Sequence, residues 1–193
     1  MRPRRRALLL VLLGIAGAAA AGAPAPLLDE LLKLLAARQH GHVAFTEVQQ
    51  LAVLERPLES SGELEYEAPE RLVKRTLRPK AETLTLDHGV LSAQRGHRTY
   101  VLELRAYPQV VPFVESIRAT LAGDRATLER LFNVGFDGTL AGWTLQLVPR
   151  DAALAAAVQA IRISGERAAI HTVEIRQSDG DRSLLSLGPE LTP

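Results

Sequence analysis

The sequence predicts a mixed fold, mainly β with a few helices, built on one antiparallel sheet that is strongly curved or barrel-like. Short runs with two-residue alternation recur at regular spacing between turns that contain proline or glycine, and they amount to about ten strand candidates. Only a few segments have helical spacing of apolar residues, and they can bury their stripes only against the sheet. No internal repeat, low-complexity linker or second domain interrupts this pattern.

The chain begins with the features of a secretory signal peptide. MRPRRR is followed by the apolar run ALLLVLLGIAGAAAAG and then by the proline-rich APAP. A basic start, a short apolar region and an Ala-x-Ala site define such a leader, and Ala19 and Ala21 have the required spacing. We therefore expect residues 1–21 to be a signal peptide and 22–193 to be one mature domain. The mature protein is expected to be periplasmic, monomeric and not membrane-spanning.

Cleavage of this leader changes the charge balance. It removes four arginines from the 23 basic residues of the chain and leaves 19 against 22 acidic ones. A mildly acidic protein is not expected to bind nucleic acid. Because the chain has no cysteine, an exported protein of this sequence depends on its core rather than on disulfides.

The first half of the mature chain is predicted to be one helix followed by strands. Pro26 suits a first helical position, and Gly41 is expected to end the helix. The helix has a predicted apolar stripe of Leu27, Leu31, Leu34 and Leu35. Strands are predicted at 42–54, 58–66, 72–77, 83–86, 90–94 and 99–104.

In the second half of the mature chain, the spacing of apolar residues changes from every two residues to about every 3.6, which indicates helix. One helical stripe comprises Val110, Phe113, Val114, Ile117 and Leu121, and Gly123 ends it. Asp124 is predicted to cap a second short helix, and Asp151 an alanine-rich one. Strands are expected in FNVGFDG and GWTLQLVPRD, and at 160–164, 169–177 and 183–187.

Residues 58–67, LESSGELEYE, place acidic and non-acidic residues on opposite faces of a strand. A row of like charges is most simply a solvated strand surface. The other face combines Ser60 and Gly62 with Leu64 and Tyr66, which is less bulk than a packed core requires.

Catalytic and metal-binding patterns are weak. His40 and His42 would share a face on a strand, but the predicted helix end separates them and no third ligand is near. Asp179 and Asp181 flank a glycine in what is expected to be a hairpin turn. No serine lies in a nucleophile elbow, and no glycine-rich phosphate loop is present. We therefore expect no metal, no cofactor and no enzymatic activity.

The order of several motifs resembles the LolA-like family of outer-membrane lipoprotein carriers. The similarity covers roughly Leu27 to Leu187, and the motifs are HVAFTEVQQL, ESSGELEYEAPERL, RPKAETLTLDHGVL, LAGDRATLERLF, GWTLQLVPRD and IRISGERAAIHTVEIRQSDGDRS. The resemblance implies an incomplete barrel of about ten to eleven strands under a lid of short helices. It also implies a cavity for the acyl chains of lipoproteins, which pass from an inner-membrane transporter to an outer-membrane acceptor.

Under this resemblance, Ser60 and Gly62 would leave volume in the cavity. The expected ligand-contacting residues are Phe45, Leu64, Tyr66, Val110, Phe113, Val114, Ile117, Leu121, Phe132 and Trp143. The family's lid-locking arginine is replaced here by Ala68, before Pro69. Candidates to substitute for it are Arg71, Lys74 and Arg75 on the next predicted strand.

Two other functions remain open. The cargo is either a lipoprotein or another acylated lipid or pigment, the latter handled beside a lipid exporter. A β-rich periplasmic adaptor that binds a protein partner and no lipid is the alternative from a different class. A lipid hydrolase is disfavoured because the sequence shows no nucleophile–base arrangement.

Overall fold

The computed structural model describes residues 25–106 and 111–191, and these contain one large antiparallel sheet. Its first six strands are β1 (His40–Gln50), β2 (Leu58–Glu67), β3 (Arg71–Arg78), β4 (Glu82–Asp87), β5 (Val90–Arg95) and β6 (Arg98–Glu103). The other five are β7 (Phe132–Thr139), β8 (Gly142–Pro149), β9 (Val158–Glu166), β10 (Ala169–Gln177) and β11 (Arg182–Glu190).

Four α-helices and one 3₁₀ turn lie in the described chain, before β1, between β6 and β7, and between β8 and β9. They are α1 (Ala25–Ala36), a 3₁₀ turn (Leu104–Ala106), α2 (Val111–Leu121), α3 (Arg125–Leu131) and the single turn α4 (Ala152–Ala155). None of the described helices is long and apolar enough to cross a membrane. The predicted signal peptide at 1–21 lies outside the described residues.

β1 pairs with β11 at the centre of the sheet. Its strand order is β6-β5-β4-β3-β2-β1-β11-β10-β9-β8-β7, so each neighbour except the central pair is joined by a hairpin or short loop. β6 and β7 are the two free edges, so the sheet does not close. The predicted fold class is confirmed: an incomplete, curved antiparallel barrel covered by short helices.

One boundary prediction was wrong at the start of β1. The helix was expected to continue to Gly41, but α1 ends at Ala36 and β1 begins at His40. His40 and His42 therefore lie on one strand, two residues apart and on the same face. At its other end β1 stops at Gln50 rather than Leu54, because the following loop is held by a hydrogen bond from Ala52 N to the Asp181 carboxylate, at 2.7 Å.

The buried face of α1 also differs from the predicted stripe. Leu34 is 36% exposed and Leu27 is only half-buried, whereas the leucines one position away face the interior. The buried set is Leu28, Leu31, Leu32 and Leu35. Six leucines within nine residues allow two overlapping stripes, and only docking against the sheet selects between them.

The main hydrophobic core fills one part of the concave face. The buried leucines of α1 share one cluster with side chains from α2, α3 and strands β7 to β10. Its sheet and helix members include Ala119, Leu128, Phe132, Trp143, Leu145, Leu147, Val158, Ile161, Ile163 and Val173. Strands β2 to β5 contribute no buried residue to this cluster, so their side of the barrel is covered differently.

The turn between α2 and α3 fixes these two helices against α1. Asp124 caps α3 as predicted, accepting a hydrogen bond from Thr127 N at 3.0 Å. Gly123 has a φ of +65°, and a Cβ there would lie 2.5 Å from the Leu32 carbonyl oxygen. The close approach of the turn to α1 therefore requires glycine.

Gly62 has a structural role different from the predicted one. A Cβ at this position would lie 1.8 Å from the Arg75 carbonyl oxygen, where the β2–β3 register shifts between Ser61 and Gly62. The glycine thus allows two backbones to approach at an irregularity of the sheet. It is not primarily a residue that leaves space in a cavity.

We expect Gly62→Ala to destabilise the protein by about 1–3 kcal/mol, because the added methyl group meets the backbone of β3. Gly142→Ala is the matched control, since a Cβ at Gly142 has no heavy atom within 4 Å and its φ is not in the left-handed region. Urea unfolding followed by circular dichroism measures both. Equal midpoints for the two variants would contradict this account of Gly62.

Candidate functional site: an apolar cavity between the sheet and α2

A cavity of about 420 Å³ lies between the concave face of the sheet and α2. This volume is in the usual range of small-molecule sites, which is about 300–1,000 Å³. Its apolar sheet residues on β1 to β5 are Val43, Leu64, Leu72, Val73, Leu84, Leu86 and Leu91. The apolar lining residues on β10 and β11 are Ile170, Val173, Ile175, Leu185 and Leu187.

Helix α2 has two different faces. Val114, Ile117 and Leu121 line the cavity. Ser116, Ala119 and Thr120 are fully buried on the remaining surface of the helix, and Ala119 belongs to the core cluster with α1 and α3. Small residues on this side allow close helix packing, so α2 joins the core and covers the cavity at the same time.

Five predicted ligand-contacting residues are brought together around the cavity. They are Leu64, Tyr66, Val114, Ile117 and Leu121. Val110 lies outside the described residues, and so does the side chain of Phe113, whose backbone is in α2. Both remain predictions.

Three other predicted residues do not line the cavity. Phe45 is 2% exposed and is covered by the ammonium of Lys74, which lies 5.0 Å from the ring centroid. Phe132 and Trp143 are in the packed core. The Trp143 Nε1–H donates to the Arg167 carbonyl at 3.0 Å, and a Cβ at the paired residue Gly165 would meet the indole at 2.6 Å.

The three candidate lid-locking residues bond to carboxylates on the sheet. Arg71 pairs with Glu67 at 3.3 Å, Arg75 pairs with Glu65, and Lys74 Nζ lies 2.5 Å from Glu47 Oε2. Within the described chain, none of these bonds reaches a helix carbonyl. Lys74 instead lines the cavity.

Arg38 is a cavity residue that the sequence did not single out. It lies between α1 and β1, and it donates to the Ala168 carbonyl at 3.2 Å and to Glu190 at 2.9 Å. It therefore ties the β9–β10 turn to the end of β11 at the rim of the cavity. A single arginine in a connecting segment gives no sequence signal, because its partners are 130 and 152 residues away.

Glu47 and its partners form the main polar feature of the cavity wall. The Glu47 side chain is only 10% exposed, and its carboxylate accepts from Lys74 at 2.5 Å, Ser183 at 2.8 Å and Ser60 at 3.3 Å. Burial alone would raise the pKa of Glu47. The charge and hydrogen bond of Lys74, with the hydrogen bonds of Gln49 and Ser183, outweigh burial and lower the pKa of Glu47 below its ordinary value.

Tyr66 connects the wall to α2 electrostatically. Burial raises the pKa of the Tyr66 phenol, and the positive charge of Arg118 on α2 opposes this effect. Arg118 itself bonds to Glu115 on the same helix at 2.8 Å. The phenol therefore stays neutral at physiological pH, as an uncharged donor at the wall of an apolar cavity.

The acidic residues of β2 pair with neighbouring side chains, although Glu65 also borders the cavity. His42 Nε2 lies 3.1 Å from Glu63 Oε2 and 4.0 Å from Glu65 Oε1. Within residues 25–106 and 111–191, no group of three or more histidine, aspartate or glutamate side chains is arranged to hold a metal ion.

The lowered pKa of Glu47 predicts a pH-dependent contribution to stability. A carboxylate whose pKa is lower in the folded state contributes stability above its ordinary pKa, near 4.5, and loses it as the pH falls through the folded value. We expect Glu47→Gln to reduce the free energy of unfolding at pH 7 by about 1–3 kcal/mol, and this difference to narrow below about pH 4.5. Urea titrations from pH 7 to pH 3 measure it.

The control for this measurement is Glu67→Gln, because the Glu67–Arg71 pair is exposed. Its expected effect is within about 0.5 kcal/mol at every pH. If the effect of Glu47→Gln were the same at pH 7 and pH 3, the ionised Glu47 would not be the source of the stabilisation.

Comparison with known proteins relates this architecture to other structures at low sequence identity. A LolA superfamily protein from Nitrosomonas europaea is 10% identical, with a TM-score of 0.43 over 84% of this chain and 92% of that one. A DUF1329 family protein from Desulfovibrio piger is 7% identical, with a TM-score of 0.49 over 84% and 89% of the two chains. The lipoprotein LppX from Mycobacterium tuberculosis is 11% identical, with a TM-score of 0.45 over 87% and 96%.

The sequence itself gives the family. No curated protein sequence matches the chain significantly. The family profile described as "Outer membrane lipoprotein carrier protein LolA-like" matches residues 18–189, which is most of the chain. This match confirms the resemblance read from the sequence motifs, and the chain belongs to the LolA-like family of outer membrane lipoprotein carrier proteins.

Proposed function

We propose that the mature protein is a periplasmic carrier that shields the acyl chains of lipoproteins, or of another acylated lipid, between the inner and outer membranes. The observation that carries this proposal is the cavity of about 420 Å³ between the sheet and α2. Fifteen of its lining residues are valine, leucine or isoleucine on the sheet and α2, so it suits a hydrocarbon chain rather than a polar substrate.

The energetics favour uptake of such a chain. Burying an acyl chain contributes about 0.8 kcal/mol per methylene group. An empty apolar cavity lacks these contacts, and residues along its wall gain packing partners when a chain enters. A carrier also needs a cargo that leaves again, and we propose that an inner-membrane transporter supplies it and an outer-membrane acceptor removes it.

Binding, rather than catalysis, is the activity that we propose. The cavity wall combines aliphatic side chains with a carboxylate, Glu47, that is already bonded to Lys74 and two serines. A carboxylate held in this way is a poor general base, because its lowered pKa makes it reluctant to accept a proton.

Native mass spectrometry of the mature protein purified from the periplasm tests the proposal directly. We expect mass adducts that organic solvent extracts and that are identified as acyl lipids or lipoproteins. A clean apo mass, together with no displaceable binding of a fluorescent fatty acid, would contradict the carrier function and favour a protein-binding adaptor.

A charge on the cavity face of α2 provides a second test. We expect Ile117→Glu to reduce binding of a fluorescent acyl probe at least tenfold, because the carboxylate would lose its hydration when a chain enters. Leu34→Glu is the matched control on an exposed face of α1, 36% exposed, and should bind the probe normally.

Circular dichroism decides how a loss of binding in Ile117→Glu is interpreted. A folded variant without binding supports the role of α2 in covering the cavity. An unfolded variant would show that Ile117 is an ordinary core residue, and normal binding by a folded variant would show that the probe does not use this cavity.

A further inference from the structure

Four polar side chains meet at one part of the cavity wall. Glu47 and Ser60 are directly paired across β1 and β2, and Ser183 lies on the adjacent strand β11. Lys74 reaches this group from β3. All four bond to one another through the Glu47 carboxylate.

The strand register places Glu47 and Ser60 away from the Tyr66 end of the cavity, and the Lys74 side chain reaches them from the level of Leu64. Gly41 pairs with Tyr66, and Glu47 is six residues further along β1. At a rise of about 3.3 Å per residue, these positions are about 20 Å apart along the strand. The wall between them is mostly aliphatic, and Arg38, Glu65 and Tyr66 are the other polar residues that line the cavity in the described chain.

Counting the hydrogen bonds of Glu47 and Lys74 shows which of the two residues has unused donors. The Glu47 carboxylate accepts hydrogen bonds from Lys74, Ser60 and Ser183, and Gln49 also contributes one. The Lys74 ammonium has three donor hydrogens. In the described chain it donates one hydrogen bond, to Glu47. The Phe45 ring covers part of the ammonium, 5.0 Å away, and the side chain is 25% exposed. Unused donors of Lys74 are therefore available at the cavity wall.

An ion pair at this position is not needed to hold the fold together. Removing two charges from water is costly, and replacing such a pair by apolar residues of similar volume is often neutral or stabilising. An aliphatic pair would continue the surrounding wall of leucine, isoleucine and valine. Donors inside an apolar cavity are instead suited to orienting a polar group of a ligand.

We propose that the Lys74–Glu47 pair recognises the uncharged carbonyl group of an ester- or amide-linked acyl chain, whose hydrocarbon part lies along the apolar wall toward Tyr66 and α2. This inference rests on the proposed carrier function and specifies its cargo. The ligand carbonyl oxygen accepts a hydrogen bond from the Lys74 ammonium, while Glu47 keeps the ammonium in position.

Charge selects the chemical class of ligand. Lys74 and Glu47 together carry no net charge, so a free fatty-acid carboxylate would add an unbalanced negative charge beside Glu47 in surroundings of low polarity. The other charged residues at the cavity wall are Arg38 and Glu65, and they are already paired with Glu190 and Arg75. Uncharged acyl esters and amides are therefore preferred over free fatty acids.

Displacement of the uncharged fluorescent probe N-phenyl-1-naphthylamine tests this preference with three ligands of equal chain length at pH 8. They are methyl decanoate, decanoate and decane. We expect the mature wild-type protein to bind methyl decanoate about tenfold more tightly than either of the others, the effect of one charge-assisted hydrogen bond.

The double variant Lys74→Met with Glu47→Gln removes both charges and keeps the side-chain lengths. We expect its affinity for methyl decanoate to fall about tenfold, while its affinity for decane stays within about twofold. Glu30→Gln with Lys33→Met is the matched control, because both residues are exposed on α1. It should keep the wild-type preference.

Each outcome separates this inference from the proposed function. Equal wild-type affinities for the ester and the carboxylate would overturn the inference without any variant, and so would a folded double variant that keeps the ester preference. Both results would leave the carrier function intact, because decane still binds. Wild-type protein that binds none of the three ligands would overturn the carrier function and this inference together.

Discussion

The structure depends on how three short helices cover a sheet that is too wide for them. The leucines of α1 pack with α3 and strands β7 to β10, and this cluster takes up the large aromatic side chains Phe132 and Trp143. In the described chain, α2 lies over the cavity that strands β2 to β5 help to line. Because close packing is reached on one side of the barrel and not on the other, the uncovered apolar surface becomes a cavity rather than a core.

Helix α2 links these two regions. Its small residues Ser116, Ala119 and Thr120 are fully buried, while Val114, Ile117 and Leu121 face the cavity. Gly123 brings the following turn against α1 without a side chain to separate them. The cavity side of α2 can therefore change its contacts with a ligand, while the packing of its other side fixes the helix to the core.

The polar side chains around Glu47 make the cavity wall chemically asymmetric. A uniform apolar cavity would bind any hydrocarbon chain, with affinity set by length. The pair of Lys74 and Glu47 adds a donor to the wall, and Glu47 lies about 20 Å along β1 from Gly41, the partner of Tyr66. Arg38 closes part of the rim by joining the β9–β10 turn to β11. An acyl chain with a carbonyl at one end matches an aliphatic wall that carries a donor with unused hydrogen-bonding capacity.

The sequence by itself determined the family, the fold class and nearly all the elements, because these follow from local patterns. Two-residue alternation located the strands, and Asp124 and Asp151 marked the starts of their helices. The sequence also identified Val114, Ile117 and Leu121 as residues of α2 that face the sheet, since one apolar stripe on a helix must do so. These are properties of residues close together in the chain.

Only the tertiary structure decided which apolar residues line the cavity and which fill the core. Phe45, Phe132 and Trp143 were as plausible for the cavity as Leu64, and the sequence did not distinguish the two overlapping stripes of α1. Lys74 was one of three candidates for the lid-locking residue, and in the structure it bonds to Glu47, 27 residues away. The physical reason is that burial and ion pairing depend on the register of strands far apart in the chain. No local pattern fixes how completely short helices fill a curved sheet.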